Sequence, residues 1–443
     1  MASAHRHETE RPGSILNLPD EVLVKILEHA SLGRNESPFR RNDEIVLRSR
    51  LIAPIIRTCR RFYQLAVPFH WRSIKYDYPD SVIPSDRKVM ALHRALQANP
   101  DLGRHCLEFL FHITDIRMDE EHELTAADYQ ALNEIVASLP NVRSLDIHGG
   151  WEGAKGLLTY DSLRRCIGTM HSLREVSLSR EGLDGLTVHR VMETLQSPSI
   201  RSLSLQGVSK ERVDDATFWA SQDYGESNIT ELALSDYREG AEGTLRLINW
   251  PKELASFSFG SFYNNTNYFD LPMFATMLDK HKRTLTKLSI GYLATSGRGV
   301  ILDLSEFTAL EDLQLSVWQL LRPEEAEEER FTFRTEEAKL LSAPKLRKFT
   351  LDFSIYDQHS ENWSDFGERE QKWLRGMAET AIARKAPLRE IHVIFTPDSW
   401  DVKKEDGYPW DLMKALGDEF EPAGIAVTHN TPTMSREEWS KLA

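Results

Sequence analysis

The chain has 443 residues, 41% hydrophobic and 28% charged, with a formal net charge of −14. It is long enough for a large core and two or three domains. No run approaches the roughly 18 consecutive apolar residues of a membrane span, and so acidic a body repels nucleic acid rather than attracting it. Three scattered cysteines, Cys59, Cys106 and Cys166, argue against a disulfide framework or zinc site. They fit a reducing compartment, cytoplasmic and/or nuclear.

Residues 1–14 are polar and read as a disordered lead, neither signal nor transit peptide. Leu18–Ala30 is a predicted helix. Pro19 suits its first turn, where a missing N–H costs nothing. Asp20 and Glu21 complement the positive end of the helix dipole. Val22, Leu23, Ile26, Leu27 and Ala30 fall on one face, which needs something to cover it. Residues 31–75 carry ten Lys/Arg against three Asp/Glu, a local +7, whereas residues 76–443 carry −19. This basic segment is either a solvated face or a contact, for RNA or DNA or for an acidic protein partner, its arginines sitting among apolar residues. Leu47–Phe62 gives a second apolar helical pattern, broken by Pro54, that runs into TCRRFYQLAVPFHWRSI at 58–74.

From Val142 onward a skeleton of the form Leu-x-x-Leu-x-Leu recurs nine times, at spacings of about 25–42 residues. Clear copies are Leu173-Arg-Glu-Val176-Ser-Leu178, Ile200-Arg-Ser-Leu203-Ser-Leu205 and Ile229-Thr-Glu-Leu232-Ala-Leu234. Two weaker copies precede them, at Trp71–Tyr76 and Cys106–Phe111. Each copy reads as a short strand with alternate side chains on one core face. Helical patterns lie between most of them, at Ala126–Leu139, Tyr160–Met170, Leu186–Leu195 and Leu271–Lys282. One strand and one helix cannot bury their own apolar face, but stacked neighbours can. The expected fold class is therefore α/β. A small N-terminal helical module (15–75) precedes an irregular solenoid (76–395), with parallel inner strands, outer helices and a C-terminal cap (396–443). Within the cap, Trp410–Phe420 is a predicted helix and Gly424–His429 a closing strand.

The third and fifth positions of the unit line the inner face and are small: Ser202, Ser204, Ala233, Ser256, Ser258 and Ser289. Such a lining offers little binding energy, since hot spots are usually aromatic or arginine side chains. Rings cluster instead in the segments after the strands: Phe262, Tyr263, Tyr268 and Phe269, then Trp318, then Tyr356, Trp363 and Phe366. Either they pack those segments onto the solenoid or they form a substrate-binding rim.

No motif carries chemistry. There is no Gly-x-Ser-x-Gly elbow and no phosphate-binding Gly-x-x-x-x-Gly-Lys. Glu121-His122-Glu123 lacks the second histidine of a zinc helix, and Glu324–Glu329 reads as a solvated face or a contact for a basic substrate. No catalytic residue, metal or cofactor is expected.

Two stretches carry a family resemblance. Leu18-Pro-Asp-Glu-Val-Leu followed by Ile26-Leu27 resembles the opening of an F-box, and Cys59-Arg-Arg-Phe62 with Leu65 and Trp71 is similar to its close. Thr58 stands where the family usually has valine, and Ser31–Asp43 inserts an arginine-rich segment where it is usually compact. The body resembles a leucine-rich-repeat horseshoe, although the asparagine or cysteine that usually follows each strand is mostly absent. Together these stretches resemble an F-box/leucine-rich-repeat protein of fungal type. The resemblance implies the non-catalytic substrate-recognition subunit of a Skp–cullin–F-box ubiquitin ligase. Leu18, Pro19, Val22, Leu23, Ile26, Leu27, Cys59, Phe62 and Trp71 would bind the Skp-type adaptor, and the solenoid would hold an unknown protein substrate. The alternative is a repeat scaffold whose F-box-like segment recruits no ligase.

Overall fold

The computed structural model describes residues 15–31, 51–78, 85–113, 126–180, 185–210, 219–221, 225–260, 269–293, 299–322, 329, 331–354, 362–398, 402 and 407–442. Its centre is one sheet of 12 strands, all parallel and in sequence order. They are β1 (Ser73–Tyr78), β2 (Glu108–Ile113), β3 (Ser144–Gly149), β4 (Glu175–Ser179), β5 (Ser202–Gln206) and β6 (Glu231–Ser235). The series continues with β7 (Ser256–Gly260), β8 (Lys287–Ile290), β9 (Asp312–Ser316), β10 (Lys348–Asp352), β11 (Glu390–Ile394) and β12 (Ala426–His429). Every strand pairs only with its sequence neighbours, so each unit adds to the last, as in a solenoid.

The apolar positions of the repeat keep one register across the sheet. Leu203 lies between Val176 and Leu232, and Leu205 between Leu178 and Leu234. Both are fully buried, while Ser202, Ser204 and Gln206 are half-buried on the open face. The two weaker copies obey the same rule: Ile74 pairs with Phe109 and Tyr76 with Phe111. A single core therefore runs from Ile74 to Met434.

Helices cover the buried face. The expected pattern at Tyr160–Met170 is a longer helix, Gly153–Thr169. Two glycines concealed its first turns, and one is required there: a Cβ on Gly156 would lie 2.2 Å from the Trp151 carbonyl oxygen. The Trp151 indole in turn donates to the Ser179 carbonyl at 2.8 Å, tying this helix to β4. Leu271–Lys282 is shorter as an α-helix, ending at Met277 and continuing as a 3₁₀ turn over Asp279–His281. The turn sets His281 between two backbone groups: Nδ1 accepts from the Leu254 N–H (3.2 Å), and Nε2 donates to the Ile248 carbonyl (2.9 Å).

At the far end, the helix Pro409–Phe420 and strand β12 stand close to where the sequence puts them. Trp410 meets Trp363, Phe395 and Tyr408, with ring centres 5.0–5.8 Å apart. A last helix, Arg436–Leu442, is held by Arg436 on Asp411 (2.8 Å) and by Trp439 against Tyr408.

At the near end lie helix α1 (Asp20–Ser31), helix α2 (51–56) and helix α3 (Arg60–His70). Within the described residues, the second apolar pattern divides after Ile56 rather than at Pro54. Tight bonds from Arg57 N–H to Pro54 and from Thr58 N–H to Ile55 close α2, and the Thr58 hydroxyl also donates to Ile55 at 2.8 Å. Cys59, in extended backbone, then opens α3. These helices share a small core of Leu27, Ile52 and Ala66, flanked by Ile55, Ile56, Leu65 and Phe69 and separate from that of the solenoid. The module joins the sheet directly, because the Arg72 carbonyl accepts from the Leu107 and Glu108 amides.

Candidate functional site

The N-terminal helices are positioned by one cation. Arg61, on the first turn of α3, donates through Nε to Asp20 (2.7 Å) and through Nη2 to both Asp20 (2.5 Å) and the Leu18 carbonyl (2.6 Å). Asp20 stands in the first turn of α1 and Leu18 just ahead of it. One guanidinium thus fixes the start of one helix against the start of the other, with the fork geometry that suits arginine.

The apolar stripe of α1 is divided. Leu23 and Leu27 are 1% and 2% exposed, sealed inside the protein, whereas Val22 and Ile26 remain 41% and 43% exposed. This corrects the expectation that all four contact a partner. Successive apolar lines on a helix are about 100° apart, and a core this small covers only one of them. Pro19, Val22 and Ile26, spaced by three and four residues, form the uncovered line.

The other residues expected at the adaptor site divide similarly. Pro19 and Cys59 are exposed, and Leu18 and Phe62 are half-buried. Trp71 is half-buried but packs against the solenoid core, so it serves the junction. Ile15, Leu51 and Tyr63 are further exposed apolar side chains that the sequence reading did not select. Arg61 was visible only as part of the Cys-Arg-Arg-Phe match; its link to Asp20 depends on how two helices cross, and no local signal carries it.

Of the rings expected at a substrate rim, Phe269 and Trp363 are core residues, which corrects that reading. Phe269 packs on Phe259 and Phe274 at 5.4 and 5.6 Å. Trp363 is buried and its indole donates to the Asp398 carbonyl at 2.6 Å. Phe366 is likewise buried, against Phe353 and Phe395. Trp318 is half-buried and donates to the Phe353 carbonyl at 3.1 Å. Phe262, Tyr263, Tyr268 and Tyr356 lie outside the described residues, as do Glu121-His122-Glu123, residues 324–328 and residues 32–50 of the basic segment.

The open face of the sheet is small and polar in the middle, as the repeat predicts, and more strongly hydrogen-bonded at its C-terminal end. There Lys348 pairs with Glu390 (2.9 Å), Thr428 donates to the same carboxylate (2.9 Å), and His392 meets Thr428 at 2.7 Å. Burial, with Lys348 beside it, holds the His392 imidazole below its usual pKa. Asp352, raised by burial, accepts from Gln314 at 2.8 Å and from the Ser354 amide at 2.9 Å. Among the described residues no group of three His, Cys, Asp or Glu side chains is placed to hold a metal ion, and no helix is long and apolar enough to cross a membrane.

No protein-family model matches the chain, and no curated protein matches it either.

Proposed function

We propose that the protein is the substrate-recognition subunit of a Skp–cullin–F-box ubiquitin ligase. The observation that carries the reading is the pairing of α1 with α3. The Leu-Pro-Asp-Glu and Cys-Arg-Arg-Phe stretches that resemble the two ends of an F-box are bound to each other through Arg61, Asp20 and Leu18. Their small module keeps the Pro19–Val22–Ile26 line open ahead of a repeat solenoid.

In this reading the open line docks on the adaptor. Exposed Lys25, Arg57 and Arg60 complement the acidic surface that the resemblance implies for a Skp-type protein. The solenoid holds the protein substrate. The chain supplies no bond-making group; it accelerates ubiquitin transfer by holding the acceptor near the charged enzyme. The test is purification of the tagged chain from cells. Co-elution of adaptor and cullin supports the proposal. Recovery of substrate proteins without either would leave a scaffold with no ligase role.

A further inference from the structure

We draw no further inference here: the strongest candidate, the outer edge of β12 at the C-terminal end of the sheet, pairs with no further strand among the described residues, and nothing in the structure shows what covers it.

Discussion

Arg61 and Asp20 are 41 residues apart in the chain, yet the guanidinium reaches the carboxylate through two nitrogens and caps the Leu18 carbonyl with one of them. Both side chains are partly exposed, so the ion pair itself contributes little, about 0.2–1 kcal/mol. Its value is geometric. Arg61→Ala should lower protection of α1 amides against hydrogen exchange several-fold while leaving those of β5 and β6 unchanged. Equal loss in both regions would mean that module and solenoid unfold as one unit.

The solenoid register makes an unequal prediction for adjacent residues. Leu203 is buried between two strands' leucines and valines, and Ser204 sits on the open face. Leu203→Ala should cost roughly 2–5 kcal/mol, and Ser204→Ala less than about 0.5 kcal/mol. Urea unfolding measures both. Similar shifts at the two positions would contradict the register.

His281 gives the solenoid a pH dependence. It is buried, and its Nδ1 must stay unprotonated to accept from Leu254. Burial accordingly lowers its pKa from the ordinary 6.5. Between that lowered value and 6.5, the unfolded chain binds the proton and the folded one does not. Stability therefore rises with pH through this window and falls as pH drops below about 6.5. His281→Leu should remove that part of the slope. It should also cost about 1–3 kcal/mol for each backbone group left unpaired. Thermal melts of both proteins from pH 5 to 7.5 check this.

Thiol chemistry separates the three cysteines. Burial pushes Cys106 and Cys166 up to about 12, so neither presents a thiolate near neutral pH. Cys59 is exposed at the start of α3. The native protein should take up one equivalent of a maleimide quickly and the unfolded protein three. Fast native labelling after Cys59→Ser would show that the solenoid opens locally.

Much of this architecture was legible in the chain. The Leu-x-x-Leu-x-Leu skeleton alternates with a period of two, and that alternation alone decides which side chains enter the core. Even Ile74 and Phe109, in the two weakest copies, pair as the skeleton requires. The site was less legible, because it depends on which faces meet. Leu23 and Val22 are equally apolar neighbours on α1, and the way the helices of the module pack decides that one is buried and the other is not. Phe269 and Trp363 looked like binding rings because they follow strands, but strand ends also need apolar side chains to close the core beneath them.

The most direct test of the proposed role uses the line that α1 leaves open. Val22→Asp with Ile26→Asp places two carboxylates on exposed positions, so folding is spared. Any apolar partner would have to bury both charges, at a cost of several kcal/mol. The measurement is the amount of Skp-type adaptor retained by the tagged double variant, beside its melting temperature. The account predicts at least a tenfold loss of adaptor at an unchanged melting temperature. Undiminished adaptor retention by the folded double variant would contradict it.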